Sequence, residues 1–389
     1  MLFEQKLPLP FLDKFPIHVQ IRIFSNGTSY IADMNADWSN WQRFHIGIKP
    51  HDLQEINLEL QQAIEEVSYS FNKDSKSSDS LARLAQKGNF AFKRIFSEGA
   101  PREIIKKLLE IGATIQFSSE DFFIPWELLY DGPLGEQTEV THFWGMKHII
   151  SRALIREARL GDIESPVIQS SCPRVGLITY NDLEGTIGEE IPALQELHRQ
   201  SRILLSSLRP LNATKHYDEM EYLGHFLSDE QLQIVHFACH AFKNKSLSQS
   251  YFLISNEFSI SIEDFFVREF EIKQKPFVIL NACLTGTMSP LYTSNWAALF
   301  WERGARGVLA TEFHVPDWFA AAFIKQVYIH LLAGEPIGQS LQATRRYFWE
   351  EQSNPLGLAY ALYSSPAVRI VNPNQQKENE QLGISVILS

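Results

Sequence analysis

The chain has 389 residues, of which 44% are hydrophobic, and its formal net charge is -11 at pH 7. This content can bury a large core in one large domain or two ordinary ones, and the acidic balance excludes a basic, sequence-independent binder of nucleic-acid phosphates. No run of about 18 apolar residues and no signal-peptide pattern occurs, so we expect a soluble, cytoplasmic protein without a membrane or direct nucleic-acid partner.

A small β element is predicted at the start of the chain. Residues 17–24 (IHVQIRIF) alternate apolar and polar side chains, which is typical of a strand with one solvated face. Asn26-Gly27 predicts a turn, and residues 29–34 predict a second strand.

Helical patterns follow around residues 81–95 and 101–110. The polar segment 72–80 before them predicts an exposed loop. The aromatic run 122–132 (FFIPWELLYDG) is more typical of a core segment than of a cofactor site, and we expect no cofactor.

From residue 174 onward, apolar strands alternate with helical segments. The predicted strands are RVGLITY, QIVHFAC, PFVILNAC and ARGVLAT, and the helical patterns between them include 189–206 and WAALFWERG. Continuous apolar strands with helical crossovers predict an α/β fold with a mostly parallel sheet and helices on both faces. The ligand crevice of such a sheet lies at the carboxyl ends of its strands.

Two of these strands end in reactive residues, His240 and Cys283. His236 and His240 would lie roughly 13 Å apart along one strand, too far for a shared metal ion, and Cys239 would point to the opposite face. His236 and Cys239 are therefore interpreted as packing residues, and no metal site is predicted.

His240 and Cys283 together form a candidate catalytic dyad. A free thiol is mostly protonated at neutral pH, and a nearby imidazole can exchange its proton. Taken singly, an inert core cysteine and a loop histidine remain the simpler interpretation. Their shared place at strand ends favours the dyad.

The local sequence around these residues resembles a known family. NACLTG resembles the caspase nucleophile signature with one inserted residue. More broadly, the chain resembles the CHAT family, which is caspase-like and related to separase, over roughly residues 80–372. The segments that carry the resemblance are FFIPWELLYDG, IVHFACHAF, FVILNACLTG, the stretch 304–346 and ALYSSPAVRI.

The resemblance implies a division of the chain into four parts. Residues 1–60 form the β-rich element, 61–160 a helical N-terminal half of the CHAT region, 161–372 the caspase-like catalytic domain, and 373–389 a polar tail.

It also implies a peptidase in which Cys283 attacks the peptide carbonyl and His240 protonates the leaving amine. The backbone N–H groups of Cys283 and Ala241 would hold the oxyanion, although glycine is usual at the position of Ala241. The residues implied in substrate binding are Asn281, Asp182, Glu312, His314 and Asp317.

The position of Asp317 allows a second interpretation, because Pro316-Asp317 before an apolar run predicts the start of a helix. Asn281 and His314 stand where relatives that cut after arginine carry acids. A neutral P1 residue is therefore favoured, since a buried basic side chain would lack its charge partner.

We expect a cysteine endopeptidase that cuts a specific protein partner and is activated in trans by a regulatory protein, as in bacterial defence or signalling systems. The alternative is a catalytically silent scaffold module with the same fold. A nucleotide-binding protein is disfavoured, because neither GxGxxG nor GxxxxGK[ST] occurs.

Overall fold

The computed structural model describes residues 17–36, 41–72, 78–96, 99–135, 138–154, 165–180, 183–243, 250–255, 258–268, 272–284 and 290–374. Three antiparallel strands come first: β1 (Val19–Ser25), β2 (Tyr30–Ala36) and β3 (Gln42–Ile46). The first two confirm the predicted hairpin. Its turn is closed by Asn26, whose Oδ1 accepts the backbone N–H of Ser29 at 2.8 Å, and Gly27 has the left-handed φ of 86° that the turn requires.

These strands belong to a larger sheet than the sequence predicted. β4 (Thr114–Ser119) pairs in parallel with β1, and β5 (Ile149–Leu154) pairs in parallel with β4, which gives the order β3-β2-β1-β4-β5. The expectation that 61–160 is helical was therefore incomplete, because pairing with a distant strand leaves no local sequence pattern. The boundary at residue 60 stays a prediction, and the sheet joins strands from both sides of it. The helices of this half are α1 (Pro50–Asn72), α2 (Ser78–Ile95), α3 (Ala100–Ile111) and α4 (Trp144–Lys147).

The second half of the chain builds a mixed eight-stranded sheet and a small two-stranded one. Its strands are β6 (Val167–Gln169), β7 (Arg174–Thr179), β8 (Leu204–Ser207), β9 (Leu232–Lys243), β10 (Ser250–Ser255), β11 (Phe258–Ser261), β12 (Phe277–Leu284), β13 (Gly307–Thr311), β14 (Tyr360–Tyr363) and β15 (Arg369–Val371). Its helices are α5 (Ile191–Arg199), α6 (His216–Leu227), α7 (Ile262–Val267), α8 (Pro290–Glu302), α9 (Asp317–Leu331) and α10 (Ile337–Gln352).

The predicted α/β class is confirmed by the pairing of these strands. β8, β7, β9, β12 and β13 are parallel neighbours in that order. β14 joins β13 antiparallel, and β10 joins the last part of β9 antiparallel with β11 beyond it. β15 pairs with β6 separately.

Helices cover both faces of the large sheet. On one face, buried residues of α9 such as Phe319 and Phe323 belong to the same core as Ile234 and Ile279. On the other face, α6 and α8 pack in a second core around Phe237. Strand β9 is thus covered on both sides, as is typical of a central parallel strand.

The helix predicted at 189–206 is shorter in the structure. A π-helical turn at Thr186–Glu190 precedes α5, which ends at Arg199. Ser201 has a φ of 57°, which interrupts the helix, and the predicted end of the helix becomes edge strand β8 instead. Within the described ranges, no helix has both the length and the apolar content needed to cross a bilayer.

Candidate active site

The carboxyl ends of β9 and β12 place the two candidate catalytic residues side by side. In the parallel pairing of these strands, His240 is the Cα partner of Cys283, and Ala241 is the partner of Leu284. Adjacent strands lie about 4.8 Å apart. The strand pairing therefore brings the backbone of residue 283 level with that of His240. Both lie at the carboxyl edge of the sheet.

The ring of His240 is partly buried against Tyr180, with the two ring centroids 4.8 Å apart. Tyr180 directly follows β7, and its backbone N–H donates to the carbonyl of Ala238 at 2.8 Å. It therefore stands at the same edge of the sheet as His240. The sequence analysis missed this residue, although its place directly after a parallel strand was a usable signal.

His314 and Asp317 approach His240 from the segment that links β13 to α9. His314 is solvent-exposed, and desolvation by the surrounding protein together with the nearby His240 lowers the pKa of its ring, while Glu65 of α1 opposes this. Burial raises the pKa of Asp317, and Glu190 adds to the rise, whereas the N–H of Gly185 and the charge of His240 lower it. Both groups thus lie within electrostatic reach of His240.

Asp317 also has a structural role. It is the first residue of α9, as its sequence position predicted, and its Oδ2 accepts the backbone N–H of Gly185. A Cβ at Gly185 would lie 2.7 Å from the carbonyl carbon of Asp317, so only glycine allows this approach. The contact fixes the π-helical turn against the start of α9, beside the candidate site.

Comparison with known proteins identifies the family. The CHAT domain model matches residues 114–376, which is more than half of the chain. The chain belongs to the CHAT family. Comparison with curated proteins finds no match.

Two solved structures share the fold of this CHAT chain. They are crystal structures of the Saccharomyces cerevisiae separase–securin complex at 2.6 and 3.0 Å resolution, each with a TM-score of 0.54 and with 10% and 11% identity. The matched region covers 91% and 90% of this chain but 30% of each separase chain. At these identities the likeness shows the fold alone, which confirms the expected caspase-like architecture.

Below the strand ends of the CHAT domain lies a buried polar group of residues, here called the Glu190 network. The Nδ2 of Asn281 donates to Oε1 of Glu190 at 2.7 Å, and the hydroxyl of Tyr360 donates to Oδ1 of Asn281 at 2.8 Å. The Nε2 of His236 lies 2.8 Å from the same Glu190 oxygen but forms no hydrogen bond with it. Tyr328 approaches the other ring nitrogen of His236 at 3.2 Å.

This network explains two residues of the sequence analysis. Asn281 is 2% exposed, and its amide is used inside the protein, so the structure does not place it at an open substrate site. His236 is buried, as interpreted, but it has polar partners as well as packing contacts. Sequence reasoning missed Glu190, because no local pattern marks a single inward carboxylate on a π-helical turn.

Glu312 lies in a second buried polar group, here called the seam cluster. Its members are Glu127, Arg152, Glu312, Arg345 and Tyr363. The Glu312 side chain is 2% exposed, and its oxygens bind the hydroxyl of Tyr363 at 2.6 Å and Nη2 of Arg152 at 3.2 Å. The structure thus places Glu312 between the sheets rather than in a crevice.

The other predicted residues are placed as follows. Ala241 lies within β9, between β10 and β12, with its amide in the plane of the sheet. Cys239 is buried in the core on the opposite face, and burial raises the pKa of its thiol far above the usual range. Asp182 lies outside the described residues. In the part of the chain that is described, no three His, Cys, Asp or Glu side chains converge as metal ligands would.

Proposed function

We propose that this CHAT protein is a cysteine endopeptidase with His240 and Cys283 as its dyad. The observation that carries the proposal is the strand register, which makes these two residues neighbours at the carboxyl edge of a parallel sheet. Catalytic groups of open α/β sheets are found at this edge. The partly buried ring of His240 suits a group that exchanges protons at an accessible edge.

The chemistry follows from a thiol and an imidazole in this arrangement. His240 accepts the proton of Cys283, and the thiolate attacks the peptide carbonyl carbon. The C–N bond then breaks as protonated His240 donates that proton to the leaving amine, which leaves a thioester for water to hydrolyse. Backbone N–H groups at Cys283 and Ala241 are proposed to hold the oxyanion, each contributing about 10²–10³ in rate.

The substrate pocket is proposed at the segment that carries His314 and Asp317. The segment follows β13 at the carboxyl edge of the sheet, and the pKa shifts of both residues include an effect of His240. The carboxylate of Asp317 already accepts the N–H of Gly185, while Glu312 and Asn281 have internal partners. We therefore infer a neutral P1 residue. Asp182 remains a further candidate for contact with the substrate.

A protein partner is part of the proposal. The separase structures contain securin as a bound protein. We infer that the chain described here cuts a specific protein, that a regulatory protein activates it in trans, and that it serves a bacterial defence or signalling system. The match to the CHAT domain model supports this proposal.

Labelling with a peptidyl thiol-directed electrophile tests the dyad, because the adduct can be located by peptide mass spectrometry. We expect modification at Cys283 and loss of labelling in His240→Ala. Cys172 is a partly exposed free thiol and reports general reactivity, so Cys172→Ala is the matched control for Cys283→Ala. His330→Gln, which removes a histidine paired with Glu335 at the end of α9, controls for the loss of an imidazole.

The proposal is wrong if Cys172 or Cys239 is labelled in preference to Cys283. It is also wrong if His240→Ala reacts at the parent rate. The absence of any adduct, with and without candidate partner proteins, would favour the scaffold alternative.

A further inference from the structure

The seam cluster connects the two halves of the molecule. Arg152 belongs to β5 at the edge of the first sheet, and this strand packs against β14 at the edge of the second. Arg152 donates from Nη1 and Nη2 to the two carboxylate oxygens of Glu127, at 2.8 and 2.6 Å, and both residues come from the N-terminal half. Its further contact, to Glu312, crosses to the second half. The guanidinium of Arg152 therefore contacts carboxylates from both halves.

Glu312 is fixed by both its backbone and its side chain. Its N–H donates to the carbonyl of Ala359 at 2.8 Å, and its carboxylate is held by Arg152 and Tyr363. Arg345 completes the surroundings, since it lies 3.5 Å from Glu127 and donates to three backbone carbonyls. These contacts come from β5, β14, α10 and the helical turns Trp126–Leu128 and Leu356–Ala359.

Segment 313–317 follows β13 at the carboxyl edge of the sheet where His240 lies, and Glu312 directly precedes it. Phe313 and Val315 are buried, whereas His314 between them is exposed, and Asp317 starts α9. Phe313 and Val315 pack inside on either side of His314, and the segment has a polar anchor at its start. That anchor is the carboxylate of Glu312.

We propose that Glu312 is a positioning residue, which couples the N-terminal sheet through Arg152 to the segment 313–317 beside His240. A buried ion pair adds little net stability compared with apolar packing, so its value here is in fixing an orientation. A protein partner that shifts β5 would act on the candidate site by this route. The proposal rests on the proposed function for its consequence in catalysis, but the coupling itself is a property of the fold.

Hydrogen exchange of segment 311–317 tests the coupling in the full chain. Glu312→Gln keeps the side-chain size, and at pH 8, above the raised pKa of Glu312, it removes the charge that Arg152 binds. We expect exchange in this segment to rise roughly tenfold, as for one lost charge-assisted hydrogen bond, with strands β7, β9 and β12 unchanged. Tyr363→Phe removes only the hydroxyl bond and should give a smaller local rise.

Glu127→Gln is the matched control, because it neutralises the other carboxylate of the seam cluster and leaves Arg152 bound to Glu312. It should not change exchange in 311–317. Equal local effects of Glu127→Gln and Glu312→Gln, a rise spread over the whole chain, or no rise in Glu312→Gln would each overturn the coupling.

Two thiol reagents extend the test to the site. Iodoacetamide adducts located at Cys283 by peptide mass spectrometry report the intrinsic reactivity of this thiol, whereas a peptidyl electrophile must also bind next to segment 313–317. Glu312→Gln should slow peptidyl labelling roughly tenfold and leave iodoacetamide labelling unchanged. Equal slowing of both reagents, or of neither, would contradict a positioning role. If neither reagent modifies Cys283 in the parent protein, the proposed function fails while hydrogen exchange still decides the coupling.

Discussion

The two buried polar groups of the molecule differ in how they satisfy charge. In the seam cluster two carboxylates face two guanidiniums, so that each charge has an opposite charge beside it. In the Glu190 network one carboxylate is surrounded by an amide, a histidine and the hydroxyl of Thr186. The seam cluster therefore depends on charge matching, and the Glu190 network depends on hydrogen bonds. The seam cluster joins two sheets, whereas the Glu190 network supports the strand ends of one sheet.

Removal of Arg152 should have the largest effect. Arg152→Met leaves the carboxylates of Glu127 and Glu312 buried with too little positive charge, which we expect to lower the free energy of unfolding by about 3–5 kcal/mol. Urea unfolding of both proteins measures this. A loss below that of the surface variant described last would show that the seam cluster is not a matched ionic group.

The second largest effect should be a pH dependence of stability that comes from the seam cluster and not from the Glu190 network. Burial and the neighbouring Glu127 raise the pKa of Glu312 from 4.5 to about 7, against the opposing effects of Arg152, Tyr363 and Arg345. Between these values the folded protein keeps a proton that the unfolded chain has released, so the free energy of unfolding falls as pH rises through this window. Above it the contribution is constant.

Glu312→Gln cannot titrate and should flatten this part of the pH profile. Urea unfolding at several pH values between 5 and 8, in the parent and the variant, gives the comparison. Parallel profiles would show that Glu312 titrates at an ordinary carboxyl pKa.

The Glu190 network should respond less strongly. Asn281→Leu has a similar volume but removes the amide that binds both Glu190 and Tyr360, which should cost about 1–3 kcal/mol of unfolding free energy. Tyr360→Phe loses a single hydroxyl and should cost less. If Asn281→Leu were as stable as the parent, the network would contribute no net hydrogen bonding.

An exposed ion pair sets the lower end of the scale. Arg43 binds Asp33 with two nitrogens, at 2.7 and 2.8 Å, but its side chain is 70% exposed. Arg43→Gln should therefore give the smallest change in urea unfolding, and high salt should remove the difference. The cost of Arg152→Met should persist in salt, because its charges are shielded from solvent.

Much of the second half of the fold was predictable from local patterns. The apolar strands that end near His240 and Cys283 are continuous in sequence, and their covered faces leave a clear hydrophobic signal. The five-stranded first sheet was only partly predictable. β1 and β4 are separated by most of the N-terminal half. The local pattern of neither strand indicates which distant strand is its partner.

The site divides in the same way. His240, Cys283, His314 and Asp317 were identified as candidates, because strand ends and the family resemblance mark their positions. Glu312 and Asn281 were assigned to substrate binding, but the structure gives both of them internal partners. A carboxylate at a strand end looks the same in sequence whether it faces a crevice or a buried guanidinium.

The sequence by itself determined the α/β class, the central strands and the pair of reactive residues at their ends, since these depend on hydrophobic periodicity within short segments. Only the tertiary structure decided that β9 and β12 are neighbours with residues 240 and 283 at the same level. It also decided that Arg152 meets Glu312 across two sheets. Such contacts join residues far apart in the chain, and they form because a buried charge is stable only beside the partner that the whole fold delivers.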